Sequence, residues 1–161
     1  MCYDYQILEI IDPNLKKKYT EQILRLLPSW FGKEDSLVEY IETVDNYPFF
    51  GAFNNEVCIG FFSGIIHQER TGEIYVCGIH PKHHRKGFGR ILYQALEQYF
   101  INQDCIYVMV KTLSSVHPDI YYAKTRKFYE AVGFKAFYTD HDIWTQDYPC
   151  LIMLKNIEKK V

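Results

Sequence analysis

Residues 76–92 constrain the fold of this chain more than any other stretch. An apolar, β-branched run at 74–79 ends at His80-Pro81 and is followed by consecutive basic side chains and then by Gly87 and Gly89. Such a run is typical of a strand, and the apolar spacing after the glycines is typical of a helix. A helix N-terminus presents unpaired N–H groups and partial positive charge, and glycines let an anion approach the backbone closely. The stretch therefore predicts a strand, an anion-binding turn and a helix, with phosphate or pyrophosphate as the ligand.

The composition predicts one globular domain over residues 1–161. Hydrophobic residues make up 48% of the chain and charged residues 24%, which is ordinary for a folded domain of this length. The 18 Lys and Arg against 20 Asp and Glu give a net charge of −2, so no bulk charge attracts nucleic acid. The 14 tyrosines and 11 phenylalanines favour strand-rich structure, and we assign most of these rings to core packing.

The N-terminus and the cysteines predict a soluble cytoplasmic protein. Residues 1–9 carry acidic side chains and no long apolar segment, so no signal peptide is expected. The longest apolar run, 57–66, contains glycines and is too short to span a bilayer. Five cysteines are scattered without a CxxC pair or metal spacing, which favours reduced, buried thiols at Cys2, Cys58, Cys77, Cys105 and Cys150.

The order of the predicted elements is β-α-α-β-β-β-α-β-α-β-β. Strands are predicted at 5–11, 48–53, 57–67, 73–79, 105–110, 134–138 and 151–154, and helices at 15–27, 35–44, 88–102 and 121–132. Asn54-Asn55 is expected to form the tight turn of a β-hairpin, and Gly133 to end the last helix in the left-handed conformation. The elements predict a mixed α/β sheet, because strands and helices do not alternate as regular βα units.

Two motifs, in this order along the chain, resemble those of the GCN5-related N-acetyltransferases. The sequence I-H-P-K-H-H-R-K-G-F-G before an apolar helix is similar to the family's acyl-CoA-binding loop, whose pattern is Gln or Arg, two residues, Gly, any residue, and Gly or Ala. His84, Gly87 and Gly89 occupy these positions, and His84 departs from the usual leading residue. Downstream, K-F-Y-E-A-V-G-F at 127–134 resembles the late helix and strand in which a tyrosine lies near the CoA sulfur, and Tyr129 matches that tyrosine. The resemblance covers about residues 5–154.

The resemblance implies a single-domain α/β fold with a mixed, mostly antiparallel central sheet flanked by helices. It implies an acetyl-CoA-dependent N-acetyltransferase that acts on a primary amine of a small molecule, or on an exposed protein or peptide amine, by direct transfer in a ternary complex. Acetyl-CoA is then the acyl donor, and no metal is needed. The residues expected to contact CoA are Cys77, Gly78, Ile79, His84, Arg85, Lys86, Gly87, Phe88, Gly89, Arg90 and Tyr122, the last standing where the family often has asparagine.

Glu73 and Tyr129 are the candidate acid–base residues. The segment E-I-Y-V-C-G-I at 73–79 looks like the central strand of the histone-acetylating branch of the family, in which the opening glutamate is the general base. An amine with a pKa of about 10.4 is disfavoured in its neutral form at pH 7 by roughly 3.4 pKa units, or about 4.6 kcal/mol, so the transfer needs a proton acceptor. Tyr129 would protonate the departing thiolate, and backbone N–H groups at a bulge near 77–79 would polarise the thioester carbonyl. The alternative interpretations are that Glu73 is a solvated carboxylate at the end of its strand and that Tyr129 serves only in packing.

The acceptor side of the site is expected to be lined by aromatic side chains. These lie in the loop after the first helix, on the central strand, in a long polar connection at 112–120, and in a connection at 141–144, and the residues are Trp30, Phe31, Tyr75, His117 and Trp144. Their rings suggest a flat or apolar amine as the substrate. The three histidines at 80, 83 and 84 fall on one turn and are not expected to bind a metal.

Other functions remain open from the sequence. A non-catalytic acyl-CoA-binding sensor or interaction module of the same fold would keep the glycine turn and dispense with the acid and base. An enzyme that acetylates charged tRNA shares the fold, but the net charge of −2 argues against it, and a general nucleotide-phosphate binder would bind ATP as well as CoA. No nucleic-acid or membrane partner is expected, and a homodimer formed by pairing of edge strands is left open.

Overall fold

The computed structural model describes residues 5–159. Its strands are β1 Tyr5–Glu9, β2 Phe49–Asn54, β3 Val57–His67, β4 Thr71–Ile79, β5 Tyr107–Leu113, β6 Lys135–Thr145 and β7 Tyr148–Asn156. Its α-helices are α1 Pro13–Leu24, α2 Glu34–Thr43, α3 Phe88–Asn102 and α4 Ile120–Ala131, with short 3-10 helices at Val44–Asn46 and Pro81–His83. Apart from the two 3-10 turns, this is the predicted order of strands and helices.

The strands of the described residues form a seven-stranded sheet in the order β1-β2-β3-β4-β5-β7-β6. β4 and β5 run parallel, and the chain between them forms the crossover helix α3. The pairs β1–β2, β2–β3, β5–β7 and β6–β7 are antiparallel. The predicted mixed, mostly antiparallel α/β fold is therefore confirmed.

Internal contacts divide the described chain into two compact units. The first contains residues 5–65 and 75–99, and the second contains residues 66–74 and 100–159. The boundary falls inside β4, so Glu73 belongs to the second unit and Tyr75 to the first. The single domain predicted over residues 1–161 stays a prediction.

In the first unit, the start of α1 is fixed by a helix cap, and its position is fixed by close packing on β4. Asp12 Oδ1 accepts the N–H groups of Asn14 and Leu15 at 2.8 and 3.4 Å, so the helix begins at Pro13, two residues earlier than predicted. A Cβ atom at Gly78 would lie 2.9 Å from side-chain carbons of Ile23 and Leu27. Only glycine at this position lets α1 pack this closely on the strand that leads into the glycine loop.

The β2–β3 hairpin forms as the sequence predicts. Asn55 has a φ of 55°, the left-handed conformation that a tight hairpin turn needs and that asparagine tolerates. Phe49 and Phe61, one from each strand, stack with their ring centroids 4.9 Å apart and are fully buried. The hairpin therefore supplies the centre of the first unit's core.

In the second unit, α4 has defined caps at both ends. Asp119 Oδ1 accepts the N–H groups of Tyr121 and Tyr122 at 2.8 and 3.0 Å, which pairs two donors of the first turn. Gly133 has a φ of 108°, and Phe134 N–H donates to the Tyr129 carbonyl oxygen at 2.9 Å. The predicted left-handed glycine at the end of this helix is confirmed.

The last hairpin corrects the sequence prediction. Residues 141–144, predicted as a connection between two short strands, belong to β6, which with β7 forms one long hairpin. The register of this pair shifts between Asp140 and Thr145, and Asp140 Oδ1 accepts the N–H groups of Asp142 and Ile143. The side chain of Asp140 thus competes with the hydrogen bonds between the strands. For this reason the sequence predicts a loop where the structure has an irregular continuation of the strand.

Most cysteines of the described residues are buried. Cys58, Cys105 and Cys150 are buried as predicted, and burial raises the pKa of Cys58 and Cys150 to about 11. Cys77 is partly exposed, and Cys2 lies outside the described residues. Among residues 5–159, no helix combines the length and the apolar character needed to cross a membrane.

Candidate active site

A short loop joins β4 to α3 and holds the predicted cofactor residues. His80 Nδ1 accepts the Lys82 N–H at 3.1 Å, and the His84 ring donates through Nε2 to the Ile79 carbonyl oxygen at 2.7 Å. Arg85 and Gly87 adopt φ angles of 62° and 86°. These local contacts and left-handed residues turn the chain sharply into the first turn of α3, which is the predicted strand–turn–helix arrangement.

The loop fits an anionic group by the chemistry of its donors. A Cβ atom at Gly87 would meet nothing within 4 Å, so the space beside this backbone is open. The first hydrogen bond of α3 runs from Ile91 N–H to the Gly87 carbonyl oxygen, and the N–H groups of a first helical turn have no partner within their helix. Exposed basic side chains surround this turn, namely Lys82, Arg85, Lys86 and Arg90.

His80 and His83 lie in a partly buried part of the loop. Burial first, and neighbouring basic groups after it, lower the pKa of His80 and His83 below the ordinary value for histidine. The His83 ring packs on buried Phe88, with centroids 5.9 Å apart, so only the backbone of Phe88 is available to a ligand. Among residues 5–159, no group of three His, Cys, Asp or Glu side chains is arranged to hold a metal ion.

Aromatic residues predicted for the acceptor side lie in the first unit next to rings that the sequence analysis missed. Tyr75 shares a 2.6 Å hydrogen bond with the Thr43 hydroxyl, and its ring lies 5.3 Å from Tyr40 and 5.1 Å from Tyr47. Tyr40 also meets Phe31 edge to face at 5.9 Å. Their position on and just after α2 is the sequence signal that points to these partners.

Trp30 makes a contact with the cofactor loop. Its ring lies 5.9 Å from the ring of His84 at an interplanar angle of 79°. A residue predicted for the acceptor side and a residue predicted for the cofactor side are thus in direct contact within the first unit.

The remaining predicted acceptor residues, His117 and Trp144, lie in the second unit. His117 stacks on Tyr148 with centroids 5.2 Å apart, and Trp144 is exposed on β6. Sequence reasoning missed Tyr148, because the length of the last hairpin was underestimated.

The Glu73 carboxylate is buried and paired on both oxygens. Its Oε1 lies 2.7 Å from His67 Nε2, and its Oε2 lies 3.5 Å from Lys111 Nζ. The residue is only 5% exposed, which contradicts the alternative of a solvated strand-end carboxylate. The sequence analysis missed both partners. Gln68 and Glu69, with φ angles of 52° and 62°, lie in the turn that brings the chain back from His67 toward Glu73.

Burial alternates along β4 from Ile74 to Ile79. Ile74, Val76 and Gly78 are buried, whereas Tyr75, Cys77 and Ile79 are partly exposed. The pairing of β4 with β5 covers Thr71 to Ile74, and β4 continues to Ile79. The predicted bulge near 77–79 and its role toward a thioester stay predictions.

Tyr129 is a buried residue of α4. It is 5% exposed, and its ring lies 5.8 Å from Phe134 and 5.6 Å from Phe128. One turn earlier, Arg126 Nη1 donates to the Leu113 carbonyl oxygen at 2.6 Å, which ties α4 to the end of β5. Tyr122, in the first turn of the helix, is partly exposed.

Comparison with known proteins assigns the chain to a family. The model of the acetyltransferase (GNAT) family matches residues 7–134, from β1 to the end of α4. No curated protein sequence matches the chain.

Solved structures with the same fold cover nearly the whole chain. A protein from Desulfovibrio desulfuricans classed with the GNAT acetyltransferases superposes with a TM-score of 0.82 at 17% identity, over 94% of this chain and 98% of that one. An aminoglycoside 6′-N-acetyltransferase complexed with coenzyme A superposes with a TM-score of 0.76 at 21% identity, over 97% of this chain and 99% of that one. The ribosomal-protein-S18-alanine N-acetyltransferase from Escherichia coli superposes with a TM-score of 0.72 at 17% identity, over 98% of this chain and 96% of that one. With a matching family model over most of its length and the same fold, this chain belongs to the GNAT acetyltransferase family.

Proposed function

We propose that this chain is an N-acetyltransferase that moves an acetyl group from acetyl-CoA to a primary amine of a small molecule or to an exposed protein or peptide amine. The observation that carries the proposal is the buried carboxylate of Glu73, paired with two basic side chains. Taking a carboxylate out of water is costly even when it is paired with basic side chains. A protein that only binds acyl-CoA has no need of this carboxylate.

The glycine loop is proposed to hold the pyrophosphate of CoA. The N–H groups at the start of α3 donate to its oxygens, and Arg85, Lys86 and Arg90 supply positive charge nearby. The open space beside Gly87 leaves room for a phosphate against the backbone. The CoA complex of the similar aminoglycoside 6′-N-acetyltransferase supports CoA as the carrier of the acyl group.

The proposed chemistry is direct transfer within a ternary complex. Glu73, directly or through water, removes a proton from the substrate ammonium, and the neutral amine attacks the thioester carbonyl. The C–S bond then breaks, and the CoA thiolate takes the Tyr129 hydroxyl proton, since a tyrosine hydroxyl is a donor at neutral pH. The second proton that the attacking nitrogen loses restores the Tyr129 hydroxyl, so the net release is the one proton held by Glu73. Backbone N–H groups near 77–79 stabilise the oxyanion of the tetrahedral intermediate.

The acceptor is proposed to be bound by rings from the first unit. Trp30, Phe31 and Tyr75 are partly buried there with Tyr40, and an aromatic face attracts both flat apolar groups and ammonium ions. An amine that carries an apolar or aromatic group suits these side chains better than a highly hydroxylated one.

A thiol-release assay tests the proposed activity. Acetyl-CoA is supplied with L-lysine, L-tryptophanamide, spermidine, tobramycin and a peptide with N-terminal alanine, and the acetylated product is weighed by mass spectrometry. We expect turnover of at least one amine, with sequential rather than ping-pong kinetics. Calorimetric binding of CoA without turnover of any of these amines would instead indicate an acyl-CoA sensor, and equally tight binding of ATP would indicate a general nucleotide-phosphate binder.

A further inference from the structure

The two partners of the Glu73 carboxylate differ in their exposure and in their chemistry. The side chain of Glu73 is 7% exposed, whereas those of His67 and Lys111 are 44% and 36% exposed. His67 Nε2 is 2.7 Å from Glu73 Oε1, within hydrogen-bond distance, and Lys111 Nζ is 3.5 Å from Oε2. Each partner therefore links the buried carboxylate to solvent.

Acetyl transfer leaves one proton to be disposed of in each turnover. A substrate ammonium and acetyl-CoA become an amide, a thiol and one proton, and under the proposed function that proton is first collected by Glu73. Glu73 must return it to solvent before it can act again. A buried carboxylate needs a group that can accept a proton near neutral pH for this step.

Of the two partners, only the histidine has this property. A lysine ammonium already carries its full complement of protons at neutral pH, whereas an imidazole exchanges protons between pH 5 and 8. Two more titratable groups belong to this electrostatic neighbourhood, Cys150 on β7 and Asp140 on β6. Burial raises the pKa of the Cys150 thiol to about 11, and hydrogen bonds from Asp142 and Ile143 lower the pKa of Asp140, so neither changes its charge near neutrality.

We infer that His67 is a positioning residue of the acetyl transfer, one that holds the Glu73 carboxylate and passes the collected proton to water. The Glu73 O–H bond breaks as the His67 Nε2–H bond forms, and the resulting imidazolium loses its Nδ1 proton to solvent. Proton exchange with water then returns the ring to the Nδ1–H form, which frees Nε2 for the next turnover. Lys111 holds the other oxygen. The inference rests on the proposed function, because it requires Glu73 to be the base.

Four variants separate this role from simple support of Glu73. H67Q keeps an N–H donor for the carboxylate but cannot accept a proton, and H67A removes both properties. K111Q removes the other partner of the same carboxylate and serves as the matched control, and E73Q removes the base. The substrate is the amine with the fastest thiol release among those of the assay above, and rates are measured in a weak buffer with and without added imidazole.

We expect H67Q and H67A to lose about 10-fold to 100-fold in kcat with little change in either KM, because a proton-transfer step is slowed and no substrate contact is lost. Imidazole should restore most of this loss in both variants and should not raise the rates of K111Q, E73Q or the unmodified protein. Wild-type kcat in H67Q, or a loss that imidazole leaves unchanged, would overturn the relay. If E73Q is fully active, Glu73 is not the base and the proposed mechanism is wrong. If E73Q is impaired and H67Q is not, Glu73 remains the base and only the role of His67 is overturned.

Discussion

The left-handed backbone at Gly87 allows a quantitative test of the cofactor loop. Its φ of 86° is unfavourable for any residue with a Cβ, but the Cβ itself would meet no atom within 4 Å. Substitution by alanine therefore introduces backbone strain of about 1 to 2 kcal/mol without a steric clash. The CoA-bound protein must carry this strain if CoA requires the loop conformation seen here.

The strain in G87A can appear in either of two measurements. If the free loop keeps its conformation, the free energy of unfolding falls by about 1 to 2 kcal/mol; if it relaxes, CoA binds about 5-fold to 30-fold more weakly. We expect the losses in unfolding free energy, measured with urea, and in CoA binding free energy, measured by calorimetry, to add up to that strain.

The control for G87A is G133A. Gly133 also has a positive φ, 108°, and a Cβ there would meet the flexible side chain of Lys155 at 2.9 Å. G133A should lose stability and keep its affinity for CoA. Unchanged stability together with unchanged CoA affinity in G87A would refute the requirement for a left-handed residue.

Three further predictions test other features. Y129F should lower kcat by about 100-fold with little effect on acetyl-CoA affinity, because it removes one proton donor; an unchanged kcat would reduce Tyr129 to packing. D119A should cost about 0.5 to 2 kcal/mol of unfolding free energy, because two N–H groups of α4 lose their acceptor, and D119N should retain most of it. Burial raises the pKa of the Cys58 thiol from 9.0 to about 11, so the folded state favours the protonated form. This stabilisation is complete below the unfolded pKa and is lost as the pH rises toward 11, so unfolding free energy should fall more steeply between pH 9 and about 11 in the unmodified protein than in C58A.

Local chemistry made several parts of the fold predictable from the sequence. Asn55 and Gly133 occupy the left-handed positions expected of them, because these requirements depend only on neighbouring residues. The glycine loop was predictable for the same reason, since the strand, the turn and the helix start are contiguous. The path of β6 was not, because Asp140 interrupts the ladder with its own side chain and removes the alternation that marks a strand.

The partners of the candidate base depend on contacts that are distant in the sequence. Glu73 could be singled out from its own strand, but Lys111 reaches it only because β5 lies beside β4 in parallel register. Likewise, the contact of Tyr75 with Thr43 depends on where α2 packs. Periodicity identifies which residues share a face, and it does not identify what that face meets.

The pH dependence of kcat/KM for E73Q tests the central claim most directly. With the fastest amine of the assay, general-base catalysis predicts that E73Q is about 100-fold slower than the unmodified protein near pH 7. The deficit should shrink as the pH rises toward the pKa of the amine, because the free amine, which increases about tenfold per pH unit, no longer needs a base. A deficit that stays constant from pH 6 to pH 9, or equal rates for the two proteins, would contradict the assignment of Glu73 as the base.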